Sequence, residues 1–428
     1  MINFGIAVLV LIVLVCIGIP VAYSMGLSSV FYILLVNPKY LEVLPNRSIT
    51  GVNNFLLLAI PFFVLAGSIM EYAGISQRLV TFARTCVGHR KSGMISVTVI
   101  VCCFFAAISG SGPATVAALG TILIPAMVHQ GYDRGMSTAL LSASGAIGII
   151  IPPSIAFVVY ASCTGVSVGA LFSAGIIPGI LVGASYIIAA LIASRGTEVE
   201  MLPKASAKER FIAFKDAFWA LLMPVIILGG IYGGVFTPTE AAGVAVIYGL
   251  FVGIFIYKEI HMKELYKVFV DAAVSSATIM FIIATAAVYA WIMTTSGVAA
   301  NLSAAILSIS QNKILILIII NIIFLIAGCF LDANSAFYIL LPIITPVLGN
   351  LGVDLIHAGV FLTVNMAIGL VTPPVGINLY VGCKSGGITV AEICRKIIPF
   401  LIAGIISLLL ITYVEPISMF LPRMFGQV

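Results

Sequence analysis

Apolar runs long enough to cross a lipid bilayer recur along most of this 428-residue sequence. Hydrophobic residues make up 62% of the chain and charged residues 8%, so a soluble protein of this length would expose far too much apolar surface. About 20 apolar residues in a helix cross a bilayer core, and the backbone groups of a helix bond to one another without water. The sequence therefore predicts an all-α polytopic membrane protein.

The two halves of the sequence repeat one another at a constant offset of 221 residues. AIGIIIPPS, which begins at Ala146, corresponds to AIGLVTPPV, which begins at Ala367. Prolines, glycines and an aspartate keep this register: Pro125/Pro346, Gly131/Gly352, Asp133/Asp354, Pro152/Pro373, Pro153/Pro374, Gly165/Gly386, Pro178/Pro399 and Gly183/Gly404. We predict two repeats, 1–200 and 217–428, joined by a charged interfacial linker at 201–216.

Each half contains an apolar run that a polar segment interrupts, SGSGPAT in the first half and LDANSA in the second. Glycine permits a turn, and proline removes a backbone donor. We predict that both runs turn back as re-entrant helical hairpins, at 94–128 and 314–349. Each half then has an odd number of crossings, so the second repeat is inverted relative to the first.

Proline pairs interrupt a further helix in each half, and we predict Pro-kinked broken helices at 135–163 and 357–384. The remaining apolar segments of each repeat are predicted to be scaffold helices.

The lysines and arginines divide unequally between the two sides of this topology. Of the 20, four fall on one side, namely Lys39, Arg47, Lys313 and Arg423, and the remaining 16 fall on the other. Cytoplasmic loops are enriched in basic residues, so the side with 16 is predicted to be cytoplasmic and both termini lie outside. The linker 201–216 is then cytoplasmic.

Two charged stretches, 206–218 and 258–269, are predicted to form short interfacial helices, with an ordinary charged loop as the alternative. Ser206 and Glu209 have the spacing of a capping box.

Irregular backbone persists at membrane depth only where protein buries it or where it lines a cavity. Carbonyl oxygens freed at the breaks, with nearby hydroxyl, amide and carboxylate oxygens, suit Na⁺, and helix N-termini suit a carboxylate anion. The alternative is that the breaks are packing kinks. Asp332 is a functional candidate because an ionisable group in a membrane is costly, unless it lies shallow enough to be wetted. Glu240 suits a structural role in the first turn of a helix.

With these segments in view, the sequence resembles the large membrane subunit, of DctM/SiaM type, of tripartite ATP-independent periplasmic (TRAP) transporters. The resemblance rests on SGSGPATVAALGTILIP, GIIIPPS, TPTEAAG, DANSAF and GLVTPPVGINLY. It implies sodium-coupled uptake of an organic acid anion across the bacterial inner membrane, with both termini periplasmic. It also implies a separate small four-helix membrane subunit, a periplasmic substrate-binding protein, and an elevator motion of a transport domain past a scaffold domain.

The resemblance also implies site residues. One sodium site is expected between the first tip and the first proline break, at Ser109, Gly110, Ser111, Ile151 and Pro152. The other is expected between the second tip and the second break, at Asp332, Asn334, Ser335, Thr372 and Pro373. The anion is expected between the tips, at Ser111, Gly112, Pro113, Ser154, Ala333 and Asn334. Na⁺, at two or more sites, is the only metal implied, with no organic cofactor and no nucleic acid.

Sialic acid is the favoured substrate on overall likeness, and a C4-dicarboxylate is the other candidate. A stand-alone sodium/dicarboxylate carrier of the divalent-anion family would share the hairpins but would carry Ser-Asn-Thr signatures, which this chain lacks. An intramembrane enzyme is disfavoured because Asp332 has no evident catalytic partner. A passive channel is disfavoured because two hairpins would occlude an open pore.

Overall fold

A computed structural model describes residues 2–90, 92–197, 199–201 and 203–428. Within these ranges the regular structure is entirely helical. Seven helical segments there are long and apolar enough to cross a membrane, or eight if one pair bent by 52° forms a single span. The predicted all-α polytopic architecture is confirmed.

The first half contributes ten α-helices to the described ranges: α1 (Ile2–Cys16), α2 (Val21–Val36), α3 (Val43–Val52), α4 (Ala59–Tyr72), α5 (Ile75–Val87), α6 (Gly93–Ser109), α7 (Gly112–His129), α8 (Arg134–Ala146), α9 (Ile155–Thr164) and α10 (Val168–Ala193).

The second half contributes eleven: α11 (Ala207–Tyr232), α12 (Pro238–Phe251), α13 (Met262–Thr295), α14 (Val298–Ile309), α15 (Lys313–Gly328), α16 (Ala333–Asn350), α17 (Leu355–Gly369), α18 (Ile377–Gly386), α19 (Val390–Lys396), α20 (Ile398–Tyr413) and α21 (Pro416–Met424). The bent pair is α19 and α20.

Helices α6 and α7 form a hairpin. The hydroxyl of Thr98, in the first turns of α6, lies 3.3 Å from the sulfur of Met127, in the last turn of α7. Gly110 adopts a φ of +60° at the tip, in the left-handed region that glycine occupies without strain.

Helices α15 and α16 turn back on one another in the same way. Their Phe324 and Phe337 rings, on either side of the second tip, have centroids 6.2 Å apart. The depth of either hairpin in the bilayer, and the inversion of the repeats, stay predictions.

Both proline pairs interrupt a helix. The helix that begins with α8 breaks after a short 3₁₀ turn at Ile147–Ile149 and resumes with α9. Seven residues separate the end of α17 from the start of α18. An aspartate caps the first helix of each pair: Asp133 accepts the backbone N–H of Met136, and Asp354 accepts those of Ile356 and His357. Breaks 1 and 2 below denote residues 150–154 and 370–376.

The two predicted interfacial helices are the first turns of longer helices. Ser206 and Glu209 form the expected capping box, but the helix that they open is α11, which continues without interruption to Tyr232. The stretch 258–269 likewise leads into α13, which is 34 residues long. In both helices the charged turns continue into the apolar turns without a residue that would end the helix. The predicted boundary at residue 216 therefore lies inside α11.

Contacts join several of the charged segments predicted to lie on the cytoplasmic side. Arg78 lies 3.4 Å from a carboxylate oxygen of Asp216 and 3.1 Å from one of Glu259. The ammonium of Lys396 lies 2.9 Å from a carboxylate oxygen of Asp133. These residues come from both halves, and their proximity agrees with the predicted common face.

This topology predicts that cysteines introduced at His89 and Glu200 are labelled from the same side of the membrane. A cysteine replacing Lys313 should be labelled from the opposite side. The measurement is labelling by a membrane-impermeant maleimide in oriented vesicles, in a background without accessible native cysteines. Labelling of positions 89 and 200 from opposite sides would contradict the re-entrant first hairpin.

Candidate functional site

The first hairpin tip contains a small cluster of oxygen atoms. The hydroxyls of Ser109 and Thr115 lie 3.0 Å apart. The Thr115 hydroxyl donates to the carbonyl oxygen of Ser111 at 2.8 Å, and the Ser109 hydroxyl lies 3.3 Å from the same carbonyl oxygen. Ser109 and Thr115 are buried. The tip therefore holds two hydroxyls and a carbonyl oxygen within hydrogen-bonding distance of one another.

Two glycines allow this tip to touch break 1 and the 3₁₀ turn that leads into it. A Cβ on Gly110 would lie 2.8 Å from the carbonyl oxygen of Pro153. A Cβ on Gly148 would lie 2.8 Å from the carbonyl oxygen of Ser111 and 3.0 Å from the Thr115 hydroxyl. Because real Cβ atoms do not approach backbone so closely, only glycine permits this contact. The structure thus brings Ser109, Gly110 and Ser111 against the break.

Three residues of break 1 differ in their surroundings. Ile151 and Pro152 line an apolar cavity of about 440 Å³ bordered by α6, α10 and α11. The hydroxyl of Ser154 donates to the carbonyl oxygen of Ile149 at 2.5 Å and accepts the N–H of Phe157 at 3.3 Å. Ser154 is fully buried and caps α9, so it closes the break and presents no free hydroxyl toward an anion.

At the second tip, Asp332 caps α16. One carboxylate oxygen accepts the N–H groups of Asn334 and Ser335 at 3.0 and 3.4 Å, and the other accepts the hydroxyl of Ser335. Ala333 and Ser335 are buried, and the side-chain oxygen of Asn334 is buried without a hydrogen-bond partner among the described residues. A carboxylate thus occupies the N-terminus of α16.

The second hairpin meets break 2 through the end of α15. A Cβ on Gly369 would lie 2.6 Å from the Cα of Gly328, so the backbones of α15 and α17 are in contact. The N–H of Gly376 donates to the carbonyl oxygen of Cys329 at 3.4 Å. The hydroxyl of Thr372, in break 2, donates to the carbonyl oxygen of Ile368, near the end of α17. In the part of the chain that the structure describes, no hydrogen bond joins Asp332 to Thr372 or Pro373.

The two tips therefore differ at their helix N-termini. Ser111 is the N-cap of α7, but its side chain makes no capping hydrogen bond, and Gly112 and Pro113 open the helix. Proline has no N–H, so Gly112 and Ala114 carry the first-turn donors of α7 that no cap occupies. The first tip can offer these donors to an anion, whereas at the second tip the Asp332 carboxylate already accepts the N–H groups of Asn334 and Ser335.

A cavity of about 290 Å³ reaches the first tip from the side of α4 and α13. Ser109 and Ser111 form part of its wall, as do the carboxylates of Glu71 and Asp271. The hydroxyl of Tyr72 donates to Asp271 at 2.8 Å. This wall is suited to a cation more than to an anion.

The sequence interpretation missed Thr115 and Asn378. Thr115 lies one turn after Ser111 within SGSGPAT, so their spacing of four residues is the signal that could have identified it. Asn378 is fully buried, and its amide nitrogen donates to the carbonyl oxygen of Ser142 at 3.2 Å. Only the packing of α18 against α8 makes that contact visible.

Residues 8–417 match the family model described as the tripartite ATP-independent periplasmic transporter, DctM component. The chain belongs to this family. Its members are transporter permeases, and the chain is a TRAP large permease of the multi-pass membrane type.

Several named relatives of this DctM-family chain align along nearly all of it. It is 40% identical to the C4-dicarboxylate TRAP transporter large permease protein DctM of Pseudomonas aeruginosa, covering 94% of this chain and 95% of that protein. It is 34% identical to the sialic acid TRAP transporter large permease protein SiaM of Vibrio cholerae, covering 95% and 96%. The isethionate TRAP transporter permease protein DctMQ of Oleidesulfovibrio alaskensis is 41% identical, with 97% of this chain and 65% of that protein covered.

The fold is shared with a solved transporter of low sequence identity. The crystal structure of the Alcanivorax borkumensis YdaH transporter superposes with a TM-score of 0.63 at 14% identity, covering 90% of this chain and 91% of that one. This likeness concerns the fold alone.

Proposed function

We propose that this TRAP permease couples the inward movement of Na⁺ to the uptake of an organic acid anion. The observation that carries the proposal is the contact between the first hairpin tip and break 1. There, Gly110 and Gly148 allow the tip, with its cluster of oxygens from Ser109, Ser111 and Thr115, to approach the backbone of residues 148–153. Sodium sites in secondary transporters are built from unwound carbonyls and helix ends of this kind.

The second tip supports a second sodium site for a different reason. Asp332 is a partly buried carboxylate in a membrane protein, and its charge is offset only by backbone N–H groups and one hydroxyl in the part of the chain that the structure describes. A bound cation would compensate that charge. Asn334 adds a buried amide oxygen that has no hydrogen-bond partner among the residues that the structure describes.

The anion is proposed to bind the open first turn of α7. A helix N-terminus with free N–H groups attracts an acidic group, whether carboxylate or sulfonate. Relatives are named for C4-dicarboxylates, sialic acid and isethionate, which share an acid group and differ in the rest of the molecule. The C4-dicarboxylate relative is more similar than the sialic acid relative, so the preference for sialic acid loses its support. The proposed substrate class is a small organic acid anion.

The proposed assembly has three parts, in keeping with the tripartite description of the family. A separate small membrane subunit and a periplasmic binding protein complete it, and the permease lies in the inner membrane with both termini in the periplasm. The hairpins and broken helices are proposed to move as one transport domain past scaffold helices that include α4 and α13, in an elevator motion.

We expect uptake to require the permease, the small subunit and the binding protein together. The measurement is uptake of labelled C4-dicarboxylate, sialic acid and isethionate into proteoliposomes, with an inward gradient of Na⁺ or of K⁺ as the control. Accumulation should occur only with all three components and the Na⁺ gradient. Sodium-driven uptake by the permease alone would instead favour a stand-alone carrier, and equal uptake with K⁺ would refute sodium coupling.

A further inference from the structure

Each half has a unit made of a hairpin tip and a proline break: the first tip with break 1, and the second tip with break 2. The two units meet at Asn378, in the first turn of α18. A Cβ on Gly112, the first residue after the first tip, would lie 3.2 and 3.3 Å from the amide nitrogen and oxygen of the Asn378 side chain. The same Cβ would lie 3.1 Å from the Leu370 side chain, at the start of break 2. The first tip therefore packs directly on the second break.

Asn378 also holds break 2 and the helix before break 1. Its backbone N–H donates to the carbonyl oxygen of Leu370 at 3.0 Å, which spans break 2. Its side-chain nitrogen donates to the carbonyl oxygen of Ser142, in the last turns of α8 before break 1. Asn378 thus contacts the helix before break 1, spans break 2 and touches the residue after the first tip.

Glycines bring the surrounding helices close enough for these contacts. A Cβ on Gly382 or Gly386 of α18 would lie 2.1 or 2.3 Å from the hydroxyls of Ser142 and Thr138 in α8. A Cβ on Gly120 of α7 would lie 2.6 Å from the Ser385 side chain of α18. Helices α7 and α8 therefore both pack closely against α18 at these glycines.

The Asn378 side chain is not explained by packing alone. Its oxygen is buried without a hydrogen-bond partner among the described residues. Burial of an amide without full pairing is unfavourable, and an apolar residue of similar shape would avoid it. Asn378 and Ser142 come from different halves, so their hydrogen bond joins the two units.

We propose that Asn378 is a positioning residue that couples the two sodium-binding units, so that sodium bound at one unit favours binding at the other. Sodium that draws the first tip onto break 1 moves Gly112 and α8 together. Both contact Asn378, which fixes the start of α18 and hence break 2. The inference rests on the proposed sodium coupling, and the coupling is reciprocal because it is a free energy shared by both sites.

The test is the sodium dependence of uptake by the reconstituted complex, measured beside the sodium-dependent thermal stability of the purified permease. The wild type should respond to Na⁺ with a Hill coefficient above one. Asn378→Leu should lower that coefficient toward one and raise the half-saturating Na⁺ concentration about fivefold or more, the lower range for coupled sites. A structural role alone would change stability without changing the Hill coefficient.

Asn321→Leu is the matched control. Asn321 is a buried asparagine of α15 whose amide nitrogen donates to Thr412 and whose oxygens accept from Asn365, all within the second half. Its replacement should leave the Hill coefficient unchanged. If Asn378→Leu does not fold, Asn378→Ser removes the same donor with less demand on packing and should give the same loss of cooperativity.

The outcomes separate the two proposals. A wild-type permease that does not respond to Na⁺ would overturn the proposed function together with this inference. A cooperative wild type with an equally cooperative, folded Asn378 variant would overturn the coupling role alone.

Discussion

Gly148→Ala should weaken the apparent sodium affinity of uptake about tenfold or more. The new methyl group would lie 2.8 Å from the carbonyl oxygen of Ser111 and 3.0 Å from the Thr115 hydroxyl, so the first tip must move away from the 3₁₀ turn that leads into break 1. Overpacking of this kind costs about 1–3 kcal/mol, and each 1.4 kcal/mol corresponds to a factor of ten in affinity. The measurement is the Na⁺ concentration that gives half-maximal uptake.

Gly243→Ala provides the control for this variant. Gly243 lies in α12, and a Cβ there would meet nothing within 4 Å. Its sodium dependence should match the wild type, and its stability should be equal or slightly higher because alanine favours the helix. If Gly148→Ala shows wild-type sodium dependence, the contact between tip and break does not form the proposed site.

Asp332→Asn should lower sodium affinity at least about tenfold while changing thermal stability little. Asparagine retains an oxygen that can cap α16, but it removes the negative charge that the proposed cation would offset. Loss of a charge-assisted interaction costs about 1.5–3 kcal/mol. Asp332→Ala removes both the charge and the capping oxygen. It should therefore also destabilise the protein by about 0.5–2 kcal/mol through loss of the cap. Sodium titration of uptake and thermal unfolding measure the two effects separately.

Asp354→Asn is a close control, because Asp354 caps α17 as Asp332 caps α16 but follows the C-terminal end of α16, whereas Asp332 lies at its N-terminus. This variant should leave the sodium dependence unchanged. If Asp332→Asn and Asp354→Asn behave alike, Asp332 is a helix cap and has no role in coupling.

The hairpins were predictable because their signals are local. A left-handed glycine followed by a proline in the first turn of a helix marks a reversal, and the first hairpin predicted at 94–128 corresponds to helices Gly93–Ser109 and Gly112–His129. Helices α5 and α14 were not predicted. They are short helices beside the hairpins, with no apolar run long enough to indicate a span.

The residues of the candidate site were predictable only where the pattern within one half of the chain indicates them. Ser109, Gly110 and Ser111 were found as a polar break in an apolar run, and the structure places them against break 1. The capping roles of Ser154 and Asp332 are local hydrogen bonds that residue identity alone does not distinguish from ligand binding. Asn378 depends on contacts more than 200 residues apart in sequence, and the pattern of one helix carries no information about them.

Helix α13 is too long for the membrane that it crosses. Its 34 residues extend about 51 Å at about 1.5 Å per residue, against a hydrocarbon core of about 30 Å. Its first turns carry exposed Lys263, Tyr266 and Lys267, side chains that favour the headgroup layer. We expect these side chains to hold the start of α13 at a constant depth in the bilayer. Because α13 packs against α16 of the second hairpin, the proposed elevator motion would slide α16 along a helix that keeps its own depth.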